Sequence, residues 1–275
     1  MATVWIDGEL VDERTAAVSV FDHGFTVGDG IFETLRVTRG RPFALTRHLV
    51  RLARSARGMG LPEPDTDLIR EGCRAVLEAS PLPGDARLRI TYTGGLAPPG
   101  SSRGGASPTL VIAVFPLDPW PPTAVVATVS WPRNERSAVA GLKTTSYAEN
   151  VVALAYAAER GASEALMPNT HGQLCEGTGS NVFVVMDGVL TTPPLSSGCL
   201  AGVTRELVLE WCGAEERELP MEALVTADEV FLTSSTRNVQ PVERVDDHDV
   251  PQAPGDITKR IQEVFLENSN ADLDP

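Results

Sequence analysis

The sequence predicts an α+β protein of two domains, and two observations support this prediction. Segments with helical spacing of apolar residues alternate with short strands and hairpins in both halves of the chain. Between the halves lies Pro116–Pro122, where four of seven residues are proline, so neither a helix nor a sheet continues through it. We therefore expect an N-terminal domain over residues 1–117, a linker over 118–121 and a C-terminal domain over 122–275, with a ligand site at the domain interface.

The N-terminal half is expected to combine strands with two helices. Strands are predicted over Val4–Val11 as a hairpin turning at Asp7–Gly8, and over Gly30–Thr38, Arg87–Thr93 and Thr109–Phe115. Helices are predicted over Leu45–Gly58 and Asp67–Ala79, where apolar residues recur at helical spacing.

The C-terminal half repeats this mixture. A strand is predicted over Val125–Trp131, turns at Asn169–Gly172 and Asp187–Gly188, and helices over Tyr147–Arg160, Val203–Cys212 and Ile257–Leu266. The final segment, residues 268–275, is polar, and we expect it to be disordered.

Composition excludes several classes of function. The net charge of −14 over 275 residues argues against nucleic-acid binding, which requires a basic face. The N-terminus lacks the basic start and apolar run of a signal peptide, and the longest apolar stretches are too short to span a bilayer. The four cysteines have neither metal-ligand nor disulfide spacing. We therefore expect a cytoplasmic protein without a bound metal, a nucleic-acid partner or a membrane partner.

Lysine is rare in this chain, and one lysine lies in unusual surroundings. Of 23 basic residues only Lys143 and Lys259 are lysines, and Lys143 lies in the almost uncharged stretch Ala138–Thr145. Arginine stays protonated, whereas a desolvated lysine amine can lose its proton and attack a carbonyl to form a Schiff base. The helix predicted to begin at Tyr147 would further favour the neutral amine. Lys143 is therefore a candidate nucleophile; the alternative is a surface lysine near a loop.

Three further segments suit a phosphorylated ligand, although each also has an ordinary structural explanation. Gly202 precedes a predicted helix, so Val203 and Thr204 would present the N–H groups that suit a phosphate. The hydroxyl cluster Thr233–Thr236 ends a strand and could hold phosphate oxygens. Arg51 could bind a phosphate with two hydrogen bonds, or it could be a solvated surface arginine.

Several of these residues belong to a longer pattern. The segments Glu176–Phe183, Leu190–Thr192 and Leu200–Arg205, in this order and spacing, closely resemble the signature of the class IV aminotransferases. The resemblance extends from Gly28–Arg36 to the last helix. It implies the two-domain architecture called fold type IV and pyridoxal 5′-phosphate as the cofactor. The family includes branched-chain aminotransferases, D-amino acid aminotransferases, (R)-selective amine transaminases and 4-amino-4-deoxychorismate lyases.

The resemblance also implies roles for single residues around the cofactor ring. Lys143 matches the lysine that forms the Schiff base with the cofactor and then moves the substrate proton. Glu176 matches the carboxylate that binds the pyridine nitrogen, so that the ring stays protonated and accepts electrons. Tyr147 lies where a tyrosine can bind the phenolic oxygen of the cofactor.

The phosphate contacts and the oligomeric state are likewise implied by the resemblance. Arg51, in the pattern His-x-x-Arg-Leu, matches the phosphate-binding arginine. Val203 and Thr204 match the backbone and hydroxyl contacts, and Ser235 falls where a second phosphate hydroxyl is usual. Members of the family usually assemble as dimers in which a loop reaches the neighbouring site, so we expect a homodimer.

A few residues bear on the subfamily. Phe32 stands where D-amino acid aminotransferases typically have tyrosine, and the loop around Arg103 lacks their Arg-x-His pair. The expected function is transamination of D-amino acids or (R)-amines with a keto-acid acceptor and an atypical carboxylate pocket. Phe32, Thr34 and Arg103 also resemble 4-amino-4-deoxychorismate lyases, which form aminobenzoate and pyruvate and are the alternative. A non-catalytic pyridoxal-phosphate-binding protein is a second alternative. Arg103 is the first candidate for binding the substrate carboxylate, and Arg237 is the second.

Overall fold

The computed structural model describes residues 3–80, 82, 84–105 and 107–275 and divides the chain into two compact units. Unit 1 consists of Met1–Pro119, Leu142–Tyr147 and Asp272–Pro275, and unit 2 consists of Trp120–Gly141 and Ala148–Ala271. The boundary between residues 119 and 120 lies within the predicted linker. The short segment around Lys143 differs from the prediction, because it belongs to unit 1 although the sequence places it in the C-terminal half.

Unit 1 combines an antiparallel sheet with helices on one face. Its described strands are β1 (Thr3–Ile6), β2 (Glu9–Asp12), β3 (Gly30–Thr38), β4 (Arg41–Pro42), β5 (Ala86–Thr93) and β6 (Thr109–Pro116). They pair in the order β2-β1-β6-β5-β3-β4, and every pairing is antiparallel. The helices are a single turn α1 (His23–Thr26), α2 (Leu45–Met59) and α3 (Thr66–Ala79).

The core of unit 1 follows from the alternation along its strands. In β3, Ile31, Leu35 and Val37 point to one face and are buried with the apolar side chains of α2 and α3. Phe32 and Thr34 occupy the alternate positions and therefore point to the opposite face. On this second face, Phe32 is buried and Thr34 is half-buried.

Unit 2 is built on a mixed sheet of nine described strands. These are β7 (Ala124–Thr128), β8 (Glu164–Pro168), β9 (Leu174–Gly177), β10 (Asn181–Met186), β11 (Val189–Thr192), β12 (Glu215–Glu216), β13 (Glu229–Ser234), β14 (Asn238–Val245) and β15 (His248–Asp249). The order is β12-β11-β10-β13-β14-β7-β8-β9, with β15 paired to β14. Strand β7 runs parallel to both β14 and β8.

Four α-helices and a single 3-10 turn complete the described part of unit 2. They are α4 (Ala148–Ala158), the 3-10 turn Leu195–Ser197, α5 (Val203–Cys212), α6 (Ala223–Thr226) and α7 (Asp256–Ala271). The central strands are apolar on both faces, as the buried run Val182–Val185 of β10 shows.

The C-terminal segment differs from its prediction. Residues 268–275 were expected to be disordered, but α7 continues to Ala271 and the following residues bind within unit 1. Ala44 N–H donates to the Leu273 carbonyl at 2.7 Å, and Thr46 N–H donates to Asp274 Oδ1 at 2.7 Å. Asp274 thus supplies the carboxylate that the N-terminus of α2 needs, since Ala44 has no capping side chain of its own. A cap from so distant a residue leaves no trace in the local sequence.

The cysteines and the apolar segments have ordinary structural roles. All four cysteines are unpaired. Burial raises the pKa of Cys73 to about 12 and the pKa of Cys199 to about 11, so both thiols stay protonated at neutral pH.

Across the part of the chain that is described, none of the helices has the length and apolar character needed to cross a membrane.

Candidate active site

The segment that contains Lys143 is fixed by backbone hydrogen bonds within unit 1. Phe32 N–H donates to the Lys143 carbonyl at 3.0 Å, and Lys143 N–H donates to Ser55 Oγ at 3.2 Å. Thr145 N–H donates to the Gly30 carbonyl at 2.8 Å. The start of β3 and the helix α2 therefore hold the lysine backbone, which explains why this segment lies with unit 1.

The Lys143 amine lies against two aromatic rings. Its Nζ is 4.3 Å from the centroid of the Phe32 ring and 6.0 Å from the centroid of the Tyr147 ring. The two rings pack edge to face, with centroids 5.1 Å apart. Aromatic faces attract an ammonium ion and also displace part of its water, so this amine lies in a partly desolvated site. The structure thus brings together three residues that the sequence singled out.

Arg89 joins this group and was missed by the sequence analysis. It lies on β5 directly opposite Thr34 of β3, and its guanidinium stacks over the Phe32 ring at 3.6 Å from the centroid. Burial lowers the pKa of Arg89, although an arginine remains charged at any physiological pH. The alternation of β5 indicates that Arg89 faces away from the core. The pairing of β5 with β3, which brings Arg89 to Phe32, was not predictable from a single strand.

Arg103, the first candidate for the substrate carboxylate, is engaged by groups of unit 1. Its Nε and Nη2 donate to the two oxygens of Asp29, each at 2.6 Å. Its Nη1 donates to the Gly60 carbonyl, and Nη2 also donates to the Met59 carbonyl, both at 2.7 Å. The hydrogen bonds between Arg103 and Asp29 raise the pKa of Arg103 and lower that of Asp29. A substrate carboxylate would have to replace Asp29, so the substrate role of Arg103 stays a prediction.

Arg51 is buried, with 6% of its surface exposed, which rules out the solvated surface arginine considered above. It lies on α2 and forms an ion pair with Glu33 of β3, with Arg51 Nη2 and Glu33 Oε2 2.6 Å apart. His48, one turn earlier on the same helix, bonds the same carboxylate. The structure therefore places Arg51 in a buried ion pair with Glu33, to which His48 adds a hydrogen bond.

In unit 2, Glu176 lies at the end of β9 and both of its oxygens face donors. Leu200 N–H donates to Oε2 at 2.9 Å, and Arg133 Nε lies 3.2 Å from Oε1. Arg133 also donates to Asn150 Oδ1 at 3.3 Å. One hydrogen bond and one ion pair thus hold the Glu176 carboxylate in place. Arg133 was not predicted, because it is distant from Glu176 in the sequence and lies in the segment before Lys143.

The N-terminus of α5 has the geometry of an anion site. Helix α5 begins at Val203, and none of the described side chains caps its N-terminus. Asn181 Nδ2 donates to the Leu200 carbonyl at 2.8 Å, which holds the chain just before the helix. A Cβ at Gly202 would lie 2.0 Å from Asn181 Oδ1, so only glycine permits this approach. The first-turn N–H groups, including those of Val203 and Thr204, thus point towards one place.

The remaining candidates follow β13. Ser235 comes directly after that strand and is half-buried, at the position predicted for a phosphate contact. Arg237 donates to Gln240 Oε1 at 2.5 Å and to the Ser163 carbonyl at 2.9 Å, and its guanidinium stacks over the Trp120 ring at 3.8 Å. These contacts hold Arg237 within unit 2, and its substrate role stays a prediction.

Known proteins resemble this chain over nearly all of its length. A family model described as class IV amino-transferase matches residues 30–245. A Methanocaldococcus jannaschii protein named as a branched-chain-amino-acid aminotransferase is 34% identical, over 95% of this chain and 94% of its own length. A Staphylococcus epidermidis D-alanine aminotransferase is 31% identical, over 96% of this chain and 97% of its own length. The pyridoxal-phosphate-bound structure of a hypothetical aminotransferase from Mycobacterium tuberculosis has a TM-score of 0.86 and 29% identity. The match covers 97% of this chain and 98% of that chain.

The chain therefore belongs to the class IV aminotransferases. It is a pyridoxal-phosphate-dependent transaminase with the α+β fold of that family. Each unit, taken by itself, contains groups whose chemistry suits a part of this cofactor. Unit 1 offers the Lys143 amine for an aldehyde, and unit 2 offers the Glu176 carboxylate for a pyridinium nitrogen and the start of α5 for a phosphate.

Proposed function

We propose that this transaminase acts on D-amino acids or (R)-amines, with a keto acid as the amino-group acceptor. The observation that supports the proposal is the guanidinium of Arg89, which stacks on the same Phe32 ring that the Lys143 amine contacts. A half-buried cation next to the reactive amine suits the carboxylate of an amino acid or keto acid. The preference for D-amino acids is supported by the likeness to D-alanine aminotransferase.

In this proposal each residue of unit 1 has a task in binding or proton transfer. Bound pyridoxal phosphate supplies a ring that accepts electrons when a proton leaves the substrate. Lys143 takes that proton from the substrate Cα through its neutral amine. Arg51 binds the phosphate, and Tyr147 and Phe32 exclude water from the amine.

The residues of unit 2 hold the cofactor in place. Glu176 accepts the hydrogen bond of the pyridinium N–H and thereby keeps the ring protonated. The backbone N–H groups of Val203 and Thr204, the Thr204 hydroxyl and Ser235 bind the phosphate. Because the substrate and the cofactor exchange one amino group in two half-reactions, we expect ping-pong kinetics.

In the proposed enzyme, the arginine that binds the substrate carboxylate lies on a strand and not on a loop. Arg103 of the loop is engaged by Asp29, whereas Arg89 projects from the sheet itself. A cation on a paired strand is held more rigidly than one on a loop, which favours a substrate with a carboxylate next to the reacting carbon. Arg89 therefore replaces Arg103 as the first candidate for the substrate carboxylate.

Half-reaction spectroscopy tests the proposal. The holoenzyme would be mixed with matched D- and L-alanine, D- and L-valine and (R)- and (S)-1-phenylethylamine, and the absorbance of the bound cofactor followed in time. We expect conversion with the D- or (R)-compound of each pair, and recovery of the original spectrum on adding pyruvate. Faster conversion with every L-amino acid would contradict the proposal.

The likeness to a branched-chain aminotransferase favours a second candidate, the transamination of branched-chain L-amino acids. The same experiment separates the two, because only this second candidate predicts conversion by L-valine but not by D-alanine. A further reaction with aminodeoxychorismate tests the lyase alternative. Release of 4-aminobenzoate together with pyruvate, without any keto-acid acceptor, would establish that alternative.

We propose further that the enzyme is a homodimer. On α4, Val151, Val152 and Leu154 are exposed by 64%, 55% and 41% of their surface. Apolar side chains exposed side by side on one helix favour a contact with another chain. Light scattering on the purified protein is expected to give twice the mass of the chain, and a fully active monomer would contradict this.

A further inference from the structure

A carboxylate occupies a core-facing position of β3. Ile31, Leu35 and Val37 alternate along this face and are buried in the core of unit 1, and Glu33 lies between the first two. The side chain of Glu33 has no exposed surface. A charge in such a place is tolerated only when neighbouring groups compensate it with charge and hydrogen bonds.

Two residues of α2 compensate this charge. Glu33 Oε1 accepts from Arg51 Nε at 2.8 Å, and Oε2 accepts from Arg51 Nη2 at 2.6 Å. His48 Nδ1 donates to Oε2 at 2.6 Å. Burial would raise the pKa of Glu33, but Arg51 and then His48 outweigh it and lower the pKa to about 2. Burial likewise lowers the pKa of His48, so the imidazole is neutral near pH 7.

The group contributes orientation more than it contributes stability. The desolvation of buried ions cancels much of their attraction, and an apolar side chain at position 33 would simply continue the pattern of Ile31 and Leu35. A carboxylate that binds both Nε and Nη2 fixes the plane of a guanidinium as well as its position. The direction of Arg51 is therefore the property that Glu33 determines.

The same face of α2 also holds the reactive lysine. His48, Arg51 and Ser55 are buried and follow one another at helical spacing along this helix. Ser55 Oγ accepts the backbone N–H of Lys143 at 3.2 Å. One rigid element thus orients both the arginine and the lysine backbone.

We propose that Glu33 and His48 are positioning residues that orient Arg51 towards the phosphate of pyridoxal phosphate. The inference rests on the phosphate contact of Arg51 in the proposed function. The negative charge of Glu33 and its effect on the orientation of Arg51 would change cofactor affinity in opposite directions. The Glu33 carboxylate repels a phosphate, so its removal would tighten cofactor binding if charge alone mattered, but its removal weakens binding if it orients Arg51.

The experiment compares two ligands that differ by the phosphate. Pyridoxal 5′-phosphate and pyridoxal would be titrated into the protein freed of cofactor. For each variant the dissociation constant of pyridoxal is divided by that of pyridoxal 5′-phosphate, so a lower ratio means weaker binding through the phosphate. Glu33→Asp keeps the charge but shortens the side chain, and Glu33→Gln keeps the length but removes the charge. We expect each to lower the ratio about tenfold, while pyridoxal affinity stays within about twofold.

A matched control breaks another ion pair of the same strand. Arg36 lies on the opposite face of β3, and its Nε and Nη2 donate to Asp85 Oδ2 at 3.0 and 2.5 Å. Asp85→Asn is expected to leave the ratio unchanged. An equal loss in the control would show a general weakening of the sheet and would overturn the inference.

The remaining outcomes separate the inference from the function on which it depends. If Arg51→Lys lowers the ratio but Glu33→Asp leaves it unchanged or raises it, the positioning role is wrong and the phosphate contact stands. If Arg51→Lys leaves the ratio unchanged, the phosphate contact is wrong and the positioning role falls with it.

Variants of His48 keep the test available if the Glu33 variants do not fold. His48→Leu removes a donor to Glu33 Oε2 without altering the carboxylate, and it is expected to lower the ratio about threefold. His48→Asn retains a donor and is expected to restore the ratio. Identical ratios in His48→Leu and the unaltered protein would overturn the inference.

Discussion

The candidate binding groups of the two units differ in kind. In unit 1 the candidate groups are charged side chains. Lys143 and Arg89 contact the Phe32 ring, and Arg51 forms an ion pair with Glu33. In unit 2 the candidate anion site is centred on main-chain N–H groups at the start of α5, with the hydroxyls of Thr204 and Ser235 as further candidates. Side-chain sites depend on residue type, whereas a main-chain site depends on the path of the backbone.

This difference predicts different responses to substitution. In unit 1, replacing a side chain removes the group that acts. In unit 2, apart from the hydroxyls of Thr204 and Ser235, side chains near the helix start could change with little effect, while a residue that controls the backbone could not. Glu176 is intermediate, because it is a side chain of unit 2 whose position depends on the main-chain N–H of Leu200.

The largest effect is expected at Lys143. Lys143→Ala should remove the absorbance band of the covalently bound cofactor and lower kcat by about 10⁴-fold or more, because no other group can both bind the aldehyde and move the proton. Lys259→Ala is the matched control, since Lys259 is exposed and pairs only weakly with Asp256 at 3.5 Å. Borohydride reduction followed by peptide mapping should label position 143 and not position 259. Label at Lys259 would remove Lys143 from its role.

The next effect concerns Glu176. Glu176→Gln should slow the removal of the substrate proton by about 10²- to 10³-fold, because an amide cannot stabilise the protonated ring, while much of the cofactor affinity remains. Single-turnover absorbance measures the rate, and equilibrium dialysis measures the affinity. An unchanged rate would show that the carboxylate does not act on the ring, and Glu176 would then belong with the purely structural groups of unit 2.

The sequence predicted local structure well, because the signals for it are local. The limits of β3 and the start of α2 follow from alternation and helical spacing, and the predictions over Gly30–Thr38 and from Leu45 agree with the structure. The family pattern also led to the candidate cofactor residues, whose roles stay predictions. The structure brings Lys143, Phe32 and Tyr147 together, as that pattern led us to expect.

The failures share one physical cause, which is contact between residues distant in sequence. The segment of Lys143 was assigned to the wrong half because its hydrogen bonds are made to β3. Asp274 caps α2 across most of the chain length. The ion pair of Arg103 with Asp29 is likewise invisible in the sequence, although the substrate role of Arg103 stays a prediction. Arg89 was missed because only strand pairing brings it to Phe32.

A test on Arg89 sharpens the comparison within unit 1. Arg89→Gln should lower kcat/KM for D-alanine by about 10- to 100-fold, because a charge-assisted hydrogen bond to the carboxylate is lost. The same variant should leave kcat/KM for (R)-1-phenylethylamine nearly unchanged, since that amine has no carboxylate. Arg87→Gln is the control on the same face of β5, because Arg87 lies 5.8 Å from the Phe115 ring and not at Phe32. A larger loss in Arg103→Gln than in Arg89→Gln would return the carboxylate role to Arg103.

The smallest effect tests the main-chain site of unit 2. Gly202→Ala should weaken pyridoxal-phosphate affinity about tenfold, because the added Cβ would lie 2.0 Å from Asn181 Oδ1 and must shift the start of α5. Gly84→Ala is the control, since a Cβ at Gly84 meets no atom within 4 Å. The loss should be much smaller for pyridoxal, which has no phosphate to place at the helix. Equal losses for both ligands would mean that the start of α5 does not bind the phosphate, and the contrast between the two units would then no longer hold.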